Sequence, residues 1–200
     1  MLAARRIDAL QAVAAQCEAL GATTFVKTTD VSVEVDWGSL ITHAVDRFGG
    51  IHALVNNAGI SMHANLDEIT DTDVYEKLER VNLMGSIWST HAALAHLKST
   101  NGLVVAVAIL AGLIGVPGRT TYCATKFAQT GFFEALRVEL APNGVHVCIV
   151  YPGVVATEIR RNGCNAKGQT AGVSGLNEAG AMSDERCAMR STHTVGNATT

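Results

Sequence analysis

Tyr122 and Lys126 are the residues of this 200-residue chain whose types and spacing best suit proton transfer. If the segment after Pro117 is helical, a spacing of four residues places the phenol and the ammonium group on one face, one turn apart. A free phenol has a pKa of roughly 10, and a neighbouring positive charge would lower that pKa by stabilising the phenolate. The pair is therefore a candidate general acid or base. Taken alone, a Tyr and a Lys at this spacing more often mark a solvated helix face.

Composition and charge limit the classes of partner. With 48% hydrophobic residues, the chain can bury a core and form one domain. A net charge of -3 and the lack of Lys- and Arg-rich runs argue against nucleic acid and anionic membrane surfaces as partners. The expected partner is a small molecule or another protein. Five widely spaced cysteines without a Cys-x-x-Cys pair predict reduced thiols in a cytoplasmic protein.

The sequence predicts neither membrane attachment nor a metal site. Residues 1–20 lack the charged end and apolar block of a signal peptide. The longest apolar stretch, residues 103–116, is shorter than the ~20 residues that a membrane span needs. His91 and His96 are five residues apart, which places them on different helix faces rather than at the four-residue spacing of a metal pair.

Hydrophobic periodicity predicts the elements that must position the candidate residues. Apolar residues recur at three and four positions over 7–20, 34–48, 71–97 and 120–140, which predicts four helices. Short apolar or β-branched runs predict strands over 23–29, 51–55, 103–107 and 145–151, and residues 1–6 resemble the end of a further strand. This alternation predicts βαβ units and a parallel sheet, in which ligands bind at the carboxyl ends of the strands.

Two segments follow predicted strands at that edge of the sheet. Asp30-Val31 follows one strand, and Asn56-Asn57-Ala58-Gly59 follows the next. Small residues and a glycine would let a ligand approach the backbone, and the asparagine side chains could tie adjacent strand ends together. An ordinary Asn-Gly-type turn is the alternative.

Asn82 lies in the middle of a predicted helix, where asparagine is unfavourable. Exposure to solvent is the default interpretation, and a polar task inside the protein is the alternative.

Taken together, these motifs resemble the classical type of the short-chain dehydrogenase/reductase family. They fall in the family's order over about residues 2–160: Asp30-Val31, Asn56-Asn57-Ala58-Gly59, Asn82, Tyr122-x-x-x-Lys126 and Pro152-Gly153-x-x-x-Thr157. The resemblance implies an α/β fold with a Rossmann-like, doubly wound parallel sheet. It also implies a nicotinamide cofactor and hydride transfer to or from an alcohol or carbonyl carbon of a small substrate.

The resemblance assigns catalytic roles to three residues. Tyr122 would be the acid/base, and Lys126 would lower its pKa and hold the nicotinamide ribose. Asn82 would anchor a water that relays protons to Lys126, which gives a reason for a polar residue in that helix.

The same resemblance implies a set of cofactor contacts. Asp30 and Val31 would contact the adenine, and Asn57, Ala58 and Gly59 would line the cofactor ribose. Val155 and Thr157 would hold the carboxamide and the pyrophosphate side. Arg5 stands where NADP-preferring members carry a basic residue, and Ala4 stands where NAD-preferring members carry an acidic one. NADP is therefore the expected cofactor, with NAD the less favoured choice.

Two departures from the family pattern lead us to expect impaired activity. Ile109 stands thirteen residues before the tyrosine, where the family places a serine that holds the substrate oxygen. The family's Gly-x-x-x-Gly-x-Gly turn does not occur in the sequence, and its first strand, which lies between the second and the fourth, is not found either. We therefore expect an incomplete Rossmann-like sheet with two open strand edges.

The expected organisation is a partial dinucleotide-binding and catalytic domain over residues 1–160, followed by a tail. Residues 162–200 contain few large apolar side chains, so we expect a largely disordered segment. Family members place a substrate-covering lid after the Pro-Gly turn, so the resemblance implies a remnant of that lid near 172–182.

A second hypothesis is a non-catalytic family member or fragment that acts by association. The helices at 71–98 and 120–140 correspond to those through which family members form dimers and tetramers, so the resemblance also implies a homo-oligomer.

Overall fold

The computed structural model describes residues 1–174 and 178–198. Within them, short strands alternate with helices in the order β1 (Leu2–Ala4), α1 (Ile7–Ala19), β2 (Val26–Thr28), α2 (Glu34–Phe48), β3 (Ala53–Asn56), α3 (Asp73–Glu79), α4 (Gly85–Ser99), β4 (Leu103–Val107), α5 (Thr120–Leu140), β5 (His146–Val150) and α6 (Asp184–Ala198). Short 3-10 turns cover Leu66–Glu68, Leu110–Gly112 and Ala141–Asn143.

All paired strands are parallel, which confirms the predicted α/β class. The helix predicted over 71–97 is interrupted: α3 and α4 are joined by a π-helical turn over Arg80–Met84. Such a turn inserts an extra residue into the helix and often marks a functional position. The strand predicted over 23–29 forms only over Val26–Thr28.

The strands form two separate sheets in the described part of the chain. One sheet has the order β1-β2 and the other β3-β4-β5. Residues of β1 and β3 line the same cavity of about 500 Å³, including Ala3 and Ala4 on one side and Leu54 and Val55 on the other. The expectation of two open strand edges is therefore confirmed for these residues.

Helix packing joins the two sheets where hydrogen bonds do not. Ile41 and Ala44 of α2 lie in one apolar cluster with Ala93 and Leu97 of α4. At the start of α4, a Cβ atom at Gly85 would lie 2.9 Å from the carbonyl oxygen of Val31. Only glycine permits this approach of α4 to the loop after β2.

The central strand β4 is buried on both faces, as its continuous apolar sequence predicts. Val104 and Ala106 pack with Phe133 of α5 on one face. Val105 packs with Cys148 and other β5 residues on the opposite face. This strand fixes the position of the chain that leads to Ile109 and then to α5.

The segment after β5 contains turns and one helix, and the expected lid remnant and disordered tail stay a prediction. Residues 158–172 form turns that hydrogen-bond to the loop after β3, with the Cys164 N–H donating to the Ser61 carbonyl at 2.8 Å. Cys164 is buried, and α6 is helical over Asp184–Ala198. Backbone hydrogen bonds connect these turns to the loop after β3 and to one another. Of the lid proposed near 172–182, residues 175–177 lie outside the described residues, and the domain boundary at 160 stays a prediction.

No helix among the described residues combines the length and the apolar character that crossing a membrane requires.

We expect Val55→Lys to slow aggregation. Val55 is 59% exposed and lies on β3, whose free edge offers unpaired N–H and C=O groups to other chains. A lysine there would oppose pairing between edges by charge repulsion. Light scattering during incubation at 37 °C measures the effect, and Val138→Lys is the control, since Val138 is 72% exposed on α5. Equal slowing by both variants would show that the edge is not the cause.

Candidate active site

Asn82 lies in the π-helical turn and is fully buried, so the default interpretation of solvent exposure is wrong. Its Oδ1 accepts from the Ile60 N–H at 2.8 Å, and its Nδ2 donates to the Ile60 carbonyl at 3.0 Å. Nδ2 also donates to Thr125 Oγ1 at 3.1 Å. The amide therefore ties the loop after β3 to α5, and the cost of an interior asparagine is offset by three hydrogen bonds.

Lys126 projects from α5 into the protein and is 4% exposed. Its Nζ donates to the Val107 carbonyl at 3.1 Å and to Gln129 Oε1 at 2.9 Å. Gln129 in turn donates to Ser86 Oγ of α4 at 2.9 Å. Burial lowers the pKa of Lys126 to about 8 because the charged form loses its hydration. The amine can therefore hold or release a proton near neutral pH.

Tyr122 lies one turn before Lys126 and is 3% exposed. Burial raises its pKa to about 12, and the nearby Arg119 charge opposes this shift only in part. The surrounding cluster is apolar, with Met62 and Leu78 buried and Ile109 packed against it. The expected lowering of the phenol pKa by Lys126 is not found in this structure, where burial outweighs the effect of the nearby positive charges. At neutral pH the phenol keeps its proton, which suits a proton donor.

Gly59 brings the loop after β3 against this group. A Cβ atom at position 59 would lie 3.3 Å from Asn82 Oδ1 and 3.9 Å from Lys126 Nζ. Thr125 completes the arrangement by donating to the Tyr122 carbonyl at 2.9 Å. Three separate segments thus converge on one buried polar site.

The asparagines after β3 have different positions. Asn56 is buried, donates to Thr90 Oγ1 at 3.0 Å and accepts from Ser89 Oγ at 2.6 Å. It ties β3 to α4, so the expectation that it would tie adjacent strand ends is wrong. Asn57 and Ala58 are exposed and line the cavity between the sheets.

The predicted adenine contacts follow β2. Val31 lines the same cavity as Asn57 and Ala58, which brings these three predicted cofactor residues together. Asp30 accepts hydrogen bonds from the Ser32 N–H at 3.0 Å and the Ser32 hydroxyl at 2.7 Å. The Ser32 hydroxyl, and to a smaller extent the Arg5 charge, lower the pKa of the Asp30 carboxyl. Arg5 itself is exposed.

The other two predicted cofactor residues follow β5. The Val155 carbonyl accepts from Arg160 Nη2 at 2.9 Å, and its backbone forms a bridge with Met182. Thr157 is exposed. Neither residue is among those that line the cavity between the sheets.

Sequence reasoning missed several polar residues at this site. Thr125 and Gln129 lie three residues after Tyr122 and Lys126, so helical spacing would have placed them on the same face. Arg119 lies three residues before Tyr122, and its guanidinium carbon is 5.7 Å from the centroid of the phenol ring. Among the described residues no three His, Cys, Asp or Glu side chains cluster as metal ligands.

We expect the free energy of unfolding to rise between pH 8 and pH 10. In that range the unfolded chain still binds the Lys126 proton, with a pKa of 10.5, whereas the folded chain has released it. The gain is at most about 1.4 kcal/mol for each pH unit. Above pH 10 the folded chain retains the Tyr122 proton that the unfolded chain loses, so stability falls again.

Urea denaturation at several pH values measures this effect. Lys126→Met should flatten the rise, whereas Lys98→Met, which alters an exposed lysine, should preserve it. An unchanged rise in Lys126→Met would contradict the assignment to Lys126.

Known proteins resemble this chain in sequence and in fold. The sequence model of the short chain dehydrogenase family matches residues 1–167. An 11-beta-hydroxysteroid dehydrogenase-like protein, 4A, from Arabidopsis thaliana is 41% identical over 155 residues, which are 77% of this chain and 52% of that protein. The chain thus spans about half the length of this curated relative.

Solved structures of short-chain dehydrogenases superpose on this chain. A short chain dehydrogenase/reductase from Burkholderia phymatum in complex with NAD superposes with a TM-score of 0.75 at 28% identity, covering 80% of this chain and 58% of the other. A gluconate 5-dehydrogenase from Burkholderia cenocepacia in complex with NADP and tartrate has a TM-score of 0.74 at 26% identity, covering 80% and 63%. The predicted Rossmann-like fold is confirmed, and the chain belongs to the short-chain dehydrogenase/reductase family.

Proposed function

We propose that the protein transfers hydride between NADP(H) and an alcohol or carbonyl carbon of a small molecule. The observation that carries this proposal is the convergence of Tyr122, Lys126 and Asn82 in one buried site, held by hydrogen bonds from three segments. These residue types supply a proton donor, an amine that titrates near neutral pH and an amide that fixes the loop beside them.

The residues present fit part of a nicotinamide dinucleotide. Lys126, Tyr122 and Gly59 would hold the nicotinamide ribose, and Val31, Asn57 and Ala58 line a cavity of about 500 Å³ that can accept the adenosine end. The Gly-x-x-x-Gly-x-Gly turn that cradles the pyrophosphate in this family is not present in the sequence. The cofactor, when bound, supplies or accepts the hydride.

The chain's own residues would handle the proton. Tyr122 would donate to the oxygen of a carbonyl substrate, and its pKa of about 12 favours this direction over proton abstraction from an alcohol. Lys126, with a pKa of about 8, would replenish the proton. Asn82 Oδ1 accepts one hydrogen bond, from Ile60, and carbonyl oxygens have two lone pairs, so it retains capacity to anchor a relaying water.

Arg5 supports NADP over NAD. The Burkholderia structures described above contain NAD in one case and NADP in the other, so the choice depends on this chain's own residues. Arg5 is exposed beside the end of β1, and its guanidinium could pair with a 2'-phosphate through two hydrogen bonds.

We expect Arg5→Ala to weaken NADPH binding about tenfold or more and to leave NADH binding unchanged, since only NADPH carries the 2'-phosphate. Titration followed by nicotinamide fluorescence measures both affinities. Arg6→Ala is the matched control, because Arg6 is exposed and adjacent but precedes α1 directly. No NADPH binding to the unaltered chain at millimolar cofactor would refute the proposed function for this chain.

We expect Ile109→Ser to increase the rate of carbonyl reduction about 100-fold, because a hydroxyl at this position can donate to the developing alkoxide. Steady-state oxidation of NADPH with a panel of small ketones and aldehydes measures the rate. Leu110→Ser is the control, since it adds a hydroxyl to a neighbouring exposed residue. An equal rate in Ile109→Ser and the unaltered chain would remove the role assigned to this position.

A second candidate function is association through the helices at 71–98, which include α3 and α4, and at 120–140, which is α5. An open groove of about 470 Å³ lies between α3 and α5, with Leu66, Tyr75 and Leu83 among its apolar lining. A second copy of the chain is the occupant that the family resemblance suggests. Sedimentation at several concentrations beside the NADPH titration separates the hypotheses, because a stable dimer that does not bind NADPH favours association.

The cytoplasm is the compartment we propose. All five cysteines are free thiols in the structure, which fits a reducing environment.

A further inference from the structure

A small cavity of about 90 Å³ lies beside the candidate active site, apart from the cavity between the sheets. The loop after β3, the residue before α5 and the turns after β5 enclose it. The polar side chains among its lining residues are Ser61, His63, Arg119, Arg160, Asn165 and Ser174. No acidic residue lines it, so its charge is positive.

Arg119 is buried at this cavity with part of its guanidinium unpaired. The side chain is 6% exposed, and Nη1 donates to Ser61 Oγ at 2.8 Å. Nε and Nη2 have no hydrogen-bond partner among the described residues, and none of the ion pairs found there includes Arg119. Leaving buried N–H groups of a charged side chain unpaired is costly, which points to a partner outside the chain.

The unpaired atoms form the edge of the guanidinium that binds oxyanions. Nε–H and Nη2–H project side by side and match the two oxygens of a carboxylate or phosphate. The same edge of Arg160 contacts a carboxylate in this structure, although both of its nitrogens meet a single oxygen. Its Nε and Nη2 each lie 2.9 Å from Glu178 Oε1, and Nε also donates to Ser174 Oγ at 3.1 Å. Glu178 neutralises Arg160, so the charge of Arg119 is the one that remains.

We propose that this pocket binds an oxyanion, a carboxylate or phosphate group, toward which the Arg119 guanidinium turns Nε and Nη2, since both atoms are closed off from solvent in this structure. The cavity volume of about 90 Å³ suits such a group, since roughly three water molecules occupy that volume in the liquid. Burial and, to a smaller extent, the Arg160 charge lower the pKa of Arg119, and the negative charge of a bound anion would oppose this shift.

The pocket adjoins Tyr122, because the Arg119 guanidinium carbon is 5.7 Å from the phenol ring centroid. The oxyanion can therefore be a free ion or the acidic group of a substrate. The binding proposal stands on Arg119 alone, and only the substrate source rests on the proposed oxidoreductase function.

Nuclear magnetic resonance of ¹⁵N-labelled arginine side chains tests the proposal without cofactor. Inorganic phosphate, and in a second series acetate, is added at constant ionic strength with chloride as the balancing ion. We expect the Arg119 Nε–H signal to shift saturably. Arg119→Lys keeps the charge but loses the paired donors, so it should bind about tenfold more weakly. Arg161→Met is the matched control, because the Arg161 side chain is 57% exposed, and it should bind as the unaltered chain does.

The proposal is overturned if neither anion shifts the Arg119 signal more than chloride does, in which case water satisfies the guanidinium. It is also overturned if Arg119→Lys and the unaltered chain bind with equal affinity. Should Arg119→Lys fail to fold, Ser61→Ala removes the Nη1 partner while retaining Arg119, and severalfold weaker binding is expected.

Reduction of acetoacetate compared with its methyl ester distinguishes the two sources of the anion. A preference for the acid that Arg119→Lys abolishes identifies the substrate as the source. Equal rates together with saturable phosphate binding identify a free ion. A chain that binds phosphate but not NADPH would refute the oxidoreductase proposal and leave the anion site standing.

Discussion

The hydrogen bonds of Asn82 are the interaction on which the site depends. The loop after β3, the π-helical turn and α5 meet there, and one amide bonds to both the N–H and the carbonyl of Ile60 and to the Thr125 hydroxyl. Because the amide is fully buried, each of its bonds forms without competition from water. The π-helical turn lets α3 continue into α4 while directing this side chain inward. The position of Gly59 beside Lys126 follows from this anchor.

Burial is the main cause of the pKa shifts of Tyr122 and Lys126, and their closeness on α5 is not. Desolvation lowers the pKa of Lys126 and raises that of Tyr122, so each group favours its neutral form. The apolar cluster around the phenol, against which Ile109 packs, contributes to this desolvation. A hydroxyl at position 109 would both add a donor and make the surroundings of the phenol more polar. Because the fold buries both side chains, the Tyr122 phenol and the Lys126 amine are both neutral at slightly alkaline pH.

Hydrophobic periodicity and residue types predicted most helices and strands, but they predicted fewer of the contacts at the site. The helices over 34–48 and 120–140 match the predicted bounds, because their apolar faces are regular and α2 ends at Gly49 in the left-handed conformation. The π-helical turn at Arg80–Met84 could not be predicted from the sequence. Its Asn82 side chain bonds to Ile60 and Thr125, which are distant in the chain. Arg119 was also missed, because its significance is that no ion pair within the described residues includes it, and only the packed structure reveals this. The roles of Tyr122, Lys126, Asn82 and the cofactor contacts stay predictions.

The proton-transfer residues and the cofactor cavity are held in place by different parts of the fold. Tyr122, Lys126 and Asn82 lie on elements that pack against the three-stranded sheet, where β4 is buried on both faces. Val31, by contrast, follows the two-stranded sheet, which connects to the rest through α2 and through the approach of Gly85 to the Val31 carbonyl. The width of the cavity between Val31 and Asn57 is therefore set by helix packing, without ladder hydrogen bonds between β1 and β3. Two elements joined by helix packing can shift slightly against each other, whereas strands joined by a hydrogen-bonded ladder cannot. A substitution that changes the width of the cofactor cavity should therefore leave the positions of Tyr122, Lys126 and Asn82 unchanged.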